Sequence, residues 1–201
     1  RRMQISWSIY AYSGFVPEVI MTERLTKQMQ FIFELDRLKS VFRKTRLFDG
    51  SRLENDAEHS WHLAVMCLVL SEYSNQPVDM LKVIKMLLVH DVAEIDTGDF
   101  FIYSKDDRIS AERESEAAER IFGLLPDDLK SGLMALWKEF EEGKTSEARF
   151  ALAIDRLEPV MQNFFNDAHS WKDNDVCRSR VLAINSRIGD GSAELWKCAK
   201  A

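Results

Sequence analysis

The segment at residues 79–90 places the strongest constraint on how this chain can fold. Apart from its two ends and two lysines, the segment is apolar, with Met, Leu, Val and Ile on nearly every side of a helical projection. A helix of this kind is typical of the centre of a core, and about 12 residues are too few to cross a bilayer. The sequence therefore predicts a buried central helix that ends at His90 and Asp91.

Helical periodicity extends over most of the remaining chain. Further helices are predicted at residues 22–43, 55–74, 107–123, 126–142, 146–168 and 176–188, with a polar loop around residues 49–51. The strict alternation of a β-strand is missing, and only 8 Gly and 4 Pro argue against a turn-rich β architecture. The predicted fold class is all-α, a compact bundle of many helices.

The helix that follows the polar loop has the clearest beginning. Asn55 followed three residues later by Glu58 is a capping-box arrangement. His59 therefore falls in the first turn of this helix. The apolar stripe that we expect to face the core consists of Trp61, Ala64, Val65, Leu68 and Val69.

Length, charge and cysteine content limit the class of protein. The 201 residues suit one compact domain. We expect a single domain at residues 22–201 and an N-terminal extension at residues 1–21, because Met21-Thr22-Glu23 resembles a natural start. No apolar run approaches the roughly 18 residues of a membrane span. Three widely spaced cysteines without a CxxC pair favour a reducing cytoplasm, and a net charge of −6 argues against nucleic-acid binding.

Imidazole and carboxylate groups interrupt the apolar pattern at three places. His90 and Asp91 end the central helix, where a carboxylate must be paired, bound to a metal or turned to solvent, because burying it alone costs several kcal/mol. Asp155 lies inside an apolar helix, and its neighbour Arg156 points elsewhere because adjacent helical residues diverge. With His59, two imidazoles and two carboxylates suit one divalent transition metal, namely Mn, Fe, Co, Ni or Zn. A solvent-facing helix end remains the alternative for His90 and Asp91.

The other two histidines have simpler interpretations. His62 lies three residues after His59 and could share its side of the helix. We interpret it as a partly buried structural histidine rather than as a second ligand, and His169 as a surface or interhelical one. No histidine lies between Asp91 and Asp155.

The order and spacing of these residues resemble a known superfamily. Glu58-His59, His90-Asp91 and Asp155, on successive helices, resemble the HD-domain phosphohydrolases. The string HDVAE at residues 90–94, followed by GD at residues 98–99, is similar to the HDxxE…GD pattern of the HD-domain 5′-deoxynucleotidases. The string LKSVFR at residues 38–43 is similar to the LKxxxR segment of the same family. The resemblance covers about residues 28–167.

The resemblance implies a fold and a set of roles. It implies an HD-domain bundle with the site in a central cleft, and the metal ligands His59, His90, Asp91 and Asp155. Glu94 matches the residue that activates or protonates during phosphoester cleavage, and Asp99 the residue that senses a sugar hydroxyl. Arg43, together with Lys44, matches the substrate- and phosphate-contacting position. The simpler alternatives are a solvated Glu94, a turn-stabilising Asp99 and a surface Arg43.

The expected function is hydrolysis of deoxynucleoside 5′-monophosphates to nucleoside and phosphate. The family often has Trp at or just after the position that Lys44-Thr45 occupies here, which leaves the substrate open. The alternatives are a phosphohydrolase for another small phosphoester and a metal-containing HD-fold binding protein without turnover. The expected partners are a small phosphorylated substrate and a second copy of the chain, with no nucleic acid and no membrane.

Overall fold

The computed structural model describes residues 21–103 and 107–201, without the side chains of residues 107–110. The proposed N-terminal extension lies outside the described residues except for Met21. The assignment of residues 22–201 to a single domain stays a prediction.

The described chain is mostly helical, which confirms the predicted fold class. The helices are α1 Glu23–Leu35, α2 Asp56–Leu70, α3 Met80–Val89, α4 Glu94–Thr97, α5 Asp107–Phe122, α6 Asp127–Glu142, α7 Ser146–Phe165, α8 His169–Asp173, α9 Arg178–Asn185, α10 Ile188–Gly191 and α11 Ala193–Lys200. Short 3-10 turns occupy Asp36–Ser40, Ser71–Tyr73 and His90–Ala93. Among these described helices, none is long and apolar enough to cross a bilayer.

The core is built around α3 and α7. Val83, Met86 and Leu87 of α3 are fully buried against α2, α6 and α7. The predicted central helix is therefore confirmed on one side only, because Leu81 and Leu88 on its other side are 61% and 47% exposed. A second apolar cluster joins α5 and α6 to the 3-10 turn at His90–Ala93. Together the two clusters hold the end of α3 beside the middle of α7.

A short hairpin replaces the end of the predicted first helix, and the predicted polar loop at residues 49–51 forms its connecting turn. The chain leaves helical geometry after Ser40, and β1 (Phe42–Arg46) pairs antiparallel with β2 (Leu53–Asn55). Gly50 takes a left-handed conformation, with φ of 72°, in the connecting turn. The prediction of a helix to residue 43 is wrong: α1 ends at Leu35, and Arg43 lies in β1, where it pairs with Asp56 of α2 and with Asp91 after α3. Such tertiary contacts can override local helix propensity.

The start of α2 is as predicted, but its buried face is not. Asn55 Oδ1 accepts a hydrogen bond from the Glu58 backbone N–H, and Glu58 Oε1 accepts one from the Asn55 N–H, which completes the capping box. The side that faces the core carries His59, Leu63 and Cys67. The predicted core stripe is largely exposed: Trp61, Val65, Leu68 and Val69. Hydrophobic periodicity identifies an apolar stripe on a helix, but it does not show whether another part of the chain packs against that stripe.

Candidate metal centre and adjoining cleft

Three helices bring the predicted metal ligands together. His59 comes from the first turn of α2, His90 and Asp91 from the 3-10 turn after α3, and Asp155 from the middle of α7. His59 Nε2 lies 3.2 Å from Asp155 Oδ1. His90 Nε2 lies 3.1 Å from Asp91 Oδ1 and 3.5 Å from Asp155 Oδ1. Residues far apart in the chain thus form one cluster of nitrogen and oxygen donors.

Packing fixes the ring of His90. Its Nδ1 lies 2.9 Å from the Leu87 carbonyl oxygen, which turns Nε2 toward Asp91 and Asp155. Trp137 donates its indole N–H to the His90 carbonyl, and the edge of the Phe140 ring lies against the imidazole. The ring is buried, so its orientation is set by fixed neighbours rather than by solvent.

The donor set fits a divalent transition metal. His90 Nε2 is a buried nitrogen without a hydrogen-bond partner in the described chain. Donor atoms of His59, His90 and Asp91 all lie within 4.8 Å of one another. Two imidazole nitrogens and two carboxylates are the ligand types that Mn, Fe, Co, Ni and Zn accept. An orphaned nitrogen that faces carboxylates is what a metal ligand requires, so the residues present fit a metal.

Charges in the cluster are strongly coupled. Burial opposes protonation of His90, but the charges of Asp91 and Asp155 outweigh it and raise its pKa to about 9. Burial likewise opposes ionisation of Asp155, yet the hydrogen bond from His59 and the nearby imidazole of His90 hold the pKa of its carboxyl well below the usual range. The cluster therefore keeps its carboxylates ionised, which favours the binding of a cation.

Arg43 lies among carboxylates rather than in open space. Its Nη1 is 2.9 Å from Asp91 Oδ2 and 3.1 Å from Asp56 Oδ1, with Asp99 Oδ1 at 3.7 Å and Glu94 Oε2 at 4.0 Å. Arg43 is only slightly exposed. The sequence analysis identified Arg43 as a site residue but missed Asp56, which is fully buried. Asp56 lies in the first turn of α2, where an acidic residue is common because it interacts favourably with the helix dipole.

Glu94 and Asp99 complete the acidic side of the site. Burial, and then the charge of Asp91, raise the pKa of the Glu94 carboxyl well above its ordinary value. Burial also raises the pKa of Asp99, while Arg43 opposes that shift. Glu94 Oε2 is buried and lacks a hydrogen-bond partner among the described residues. The protonated form of Glu94 is therefore favoured, which suits a proton donor.

A cleft opens beside the cluster. It contains about 520 Å³ of space between the atoms, with the open solvent at its mouth included. Asp99, Asp155 and Arg43 line the part of it next to the cluster. The remaining walls include Lys44, Phe101, Tyr103, Arg156 and Trp171. The cleft thus joins the candidate metal-binding cluster to a wall of aromatic and cationic side chains.

Arg156 is a cleft residue that the sequence reasoning set aside. Its Nη1 reaches the Ile184 carbonyl at 3.5 Å, and its buried Nε has no hydrogen-bond partner within the described chain. No carboxylate of the described residues lies within ion-pair distance. Burial lowers the pKa of its guanidinium. Arg156 is a charged residue inside an apolar helix, and this is the same sequence feature that identified Asp155 as a candidate.

The two remaining histidines lie outside the cluster. His62 is partly buried, as predicted, with Nδ1 3.5 Å from Glu158 Oε1. His169 lies on the surface and pairs with Asp173 one turn later, at 3.2 Å. The sequence reasoning also missed Glu54 and Glu158, two buried carboxylates on the far side of His59.

A family profile and two curated relatives all relate this chain to HD-domain proteins. A sequence profile of the HD domain matches residues 35–196. The 5′-deoxynucleotidase HDDC2 of Homo sapiens is 32% identical over 139 residues, which are 67% of this chain and 65% of that protein. The protein of the same name from Danio rerio is 30% identical over 153 residues, 74% of this chain and 72% of that protein.

A solved structure shares most of the fold. The crystal structure of a predicted metal-dependent phosphohydrolase from Magnetospirillum magnetotacticum MS-1 matches with a TM-score of 0.84 and 47% sequence identity. The match covers 88% of this chain and 89% of that one.

Proposed function

The chain belongs to the HD-domain phosphohydrolase family, and we propose that it hydrolyses nucleoside 5′-monophosphates, deoxynucleotides foremost, to nucleoside and phosphate. The observation that carries the proposal is the convergence of two imidazoles and two carboxylates beside an aromatic and cationic cleft. The names of the curated relatives support a nucleotide substrate. Because the chain spans about 65% of the human relative's length, the substrate is a proposal.

His59, His90, Asp91 and Asp155 would hold one divalent transition metal, Mn, Co, Fe, Ni or Zn. Such an ion, when bound, supplies Lewis acidity toward a phosphoryl oxygen and acidifies a water. The ligand set includes one carboxylate oxygen, Asp155 Oδ1, within 3.5 Å of both imidazole Nε2 atoms. That shared contact makes Asp155 the central ligand of the proposed set.

Glu94 is the proposed proton carrier. Its raised pKa favours the protonated carboxyl, which can give its proton to the departing 5′ oxygen. The exposed fraction of its side chain is only 12%, so water competes little for that proton. Arg43 holds Asp91 and Asp56 in place through ion pairs of 2.9 and 3.1 Å.

The substrate's charged and sugar groups would meet other cleft residues. Lys44 and Arg156 line the cleft without a carboxylate partner among the described residues, so both remain available to offset phosphate charge. This modifies the expectation for Arg43, whose guanidinium is already surrounded by carboxylates. Asp99 lies beside the cleft and would accept a hydrogen bond from a sugar hydroxyl.

A substrate panel tests the proposal. Purified protein loaded with Co²⁺ or Mn²⁺ is incubated with deoxynucleoside and ribonucleoside 5′-monophosphates, sugar phosphates, nucleoside triphosphates and a dinucleotide, and released phosphate is measured. We expect the deoxynucleoside monophosphates to be the best substrates, with His90→Ala inactive and the surface variant His169→Ala fully active. Preference for another phosphoester would contradict the proposed nucleotide substrate. Metal binding without any turnover would identify a binding protein instead.

We further propose that the chain forms a homodimer in the cytoplasm. An exposed chain of ring contacts joins Trp61, His62, Phe48, Phe165 and Phe164. Trp61 is 64% exposed and Phe164 78% exposed. An apolar surface of this kind favours burial against a second copy. All three cysteines are free, which supports a reducing compartment.

A further inference from the structure

His59 has a second ring nitrogen that faces away from the metal-binding cluster. Nδ1 lies 3.3 Å from Glu54 Oε2 and 3.4 Å from Glu158 Oε2. His59 and Glu158 are fully buried, and Glu54 is 2% exposed. Two buried carboxylates on one imidazole nitrogen are costly unless they receive hydrogen bonds or charge compensation. Their position next to His59 therefore calls for a function.

Each carboxylate has one further cationic or donor neighbour. Arg43 Nε lies 4.0 Å from Glu54 Oε2, and His62 Nδ1 lies 3.5 Å from Glu158 Oε1. The result is a continuous row, Arg43–Glu54–His59–Glu158–His62, behind the metal-binding cluster. Glu54 and Glu158 are buried on the side of His59 that faces away from Asp155. Direct contact with substrate is therefore not what places these two carboxylates there.

The two histidines of the cluster are held differently. The outer nitrogen of His90 faces a neutral backbone carbonyl, that of Leu87, at 2.9 Å. The outer nitrogen of His59 faces two carboxylates instead. A carboxylate behind a metal-binding imidazole fixes the ring and its tautomer and makes the opposite nitrogen a stronger donor.

We propose that Glu158 and Glu54 are positioning residues for His59. The two carboxylates, 3.3 and 3.4 Å from Nδ1, keep the ring proton of His59 on that nitrogen, which leaves the lone pair of Nε2 directed at Asp155 and the metal-binding cluster. His62 keeps the Glu158 carboxylate oriented toward His59. The inference rests on the proposed role of His59 as a metal ligand, and it adds a carboxylate–histidine–metal arrangement to that role.

Metal affinity tests the inference with isosteric variants. Glu158→Gln and Glu54→Gln keep side-chain size but remove the carboxylate, and Glu147→Gln, in the first turn of the same helix as Glu158, is the matched control. Dissociation constants for Co²⁺ and Zn²⁺ are measured by competition with a chelator, and the Co²⁺ absorption spectrum is recorded. We expect about 10–100-fold weaker binding in Glu158→Gln, together with a shifted Co²⁺ spectrum. Glu54→Gln should change in the same direction and Glu147→Gln not at all.

Several results would overturn the inference. Metal affinity and a Co²⁺ spectrum equal to those of Glu147→Gln in both variants would remove the positioning role, while wild-type metal binding and turnover would leave the proposed function intact. A wild type that binds two ions, of which one is lost in Glu158→Gln at unchanged affinity for the other, would show that Glu54, His62 and Glu158 themselves hold an ion. A wild type that binds no metal would overturn both proposals.

Folding of the variants is checked by circular dichroism of the metal-free proteins. If Glu158→Gln does not fold, Glu54→Gln carries the test with the same readouts. His62→Gln provides a graded comparison, because it leaves both carboxylates in place. We expect its loss of metal affinity to be smaller than that of Glu158→Gln, and a larger loss would contradict the order of contacts.

Discussion

Arg43 compensates the charge of several carboxylates at once. Its guanidinium contacts Asp91 and Asp56, and Asp56 is fully buried. Burial raises the pKa of Asp56 to about 6, because the carboxylate is desolvated and lies near Asp91. Removing the guanidinium leaves these like charges facing one another in a poorly solvated site.

We expect Arg43→Met to destabilise the metal-free protein by about 3–5 kcal/mol, the cost of leaving a buried partner uncompensated. Urea unfolding followed by circular dichroism measures this change. Arg24→Met removes an exposed pair with Asp128 and is the control, for which we expect no measurable change. Equal stability of the two variants would show that Arg43 does not hold the carboxylates together.

A variant of Glu94 tests the proposed proton transfer separately. Glu94→Gln keeps the size of the side chain but cannot give up a proton. We expect kcat to fall about 10²–10⁴-fold, the usual contribution of general acid–base catalysis. Metal affinity should stay close to that of the wild type, because Glu94 is outside the proposed ligand set. Steady-state kinetics and metal titration measure the two effects, and an unchanged kcat would remove Glu94 from the mechanism.

At the level of elements, the hairpin brings Arg43 and Lys44 to the site. Asn166, just after α7, donates its side-chain amide to the carbonyls of Leu47 and Arg46, and so fastens the hairpin turn to that helix. Gly50 has a φ of 72°, and a Cβ there would lie 2.9 Å from Asn166 Oδ1. Both backbone conformation and contact therefore require glycine.

We expect Gly50→Ala to destabilise the protein by about 1–2 kcal/mol, because a left-handed conformation is unfavourable for residues with a Cβ. Gly132→Ala is a control of opposite sign. Gly132 lies inside α6 with nothing within 4 Å of an added Cβ, so alanine should stabilise by about 0.5–1 kcal/mol. Urea unfolding of both variants compares them. The same sign of change in both would contradict the strain assigned to Gly50.

The sequence predicted elements best where local rules decide the structure. The capping box of Asn55 and Glu58 placed the start of α2 correctly, since its hydrogen bonds join residues three apart. The hairpin was missed because residues 42–46 show no strict alternation, and their partners, such as Asp91 for Arg43 and Asn166 for the turn, are distant in the chain. The buried face of α2 was wrong because its core side contains His59 and Ser60, which hydrophobic periodicity does not count.

At the level of the whole molecule, the sequence grouped the proposed metal ligands but did not identify the residues around them. The motif strings named His59, His90, Asp91 and Asp155, and the structure brings their donor atoms into one cluster. Arg156, Asp56, Glu54 and Glu158 were not found, because their roles arise only where separate helices and the hairpin meet. Family motifs record conserved chemistry, whereas charge compensation depends on three-dimensional contact.

The proposed dimer is a property of the whole molecule and rests on the exposed apolar surface around Trp61. We expect Trp61→Glu to convert a dimer to a monomer, because it puts a charge on the exposed apolar surface, at one end of the ring contacts that join Trp61 to Phe165 through His62 and Phe48. Leu25→Glu, on the exposed side of α1, is the control and should leave the mass unchanged. Analytical ultracentrifugation gives the mass in each case. A monomeric wild type would contradict the proposed dimer.

Metal titration of the metal-free protein tests the central claim most directly. Co²⁺ is added in steps while phosphate release from a deoxynucleoside 5′-monophosphate is measured, with Asp155→Asn in parallel and His169→Ala as the control. We predict that activity rises until one ion is bound per chain, and that Asp155→Asn stays inactive throughout. Full phosphate release without added metal, or equal activity in Asp155→Asn, would contradict the account.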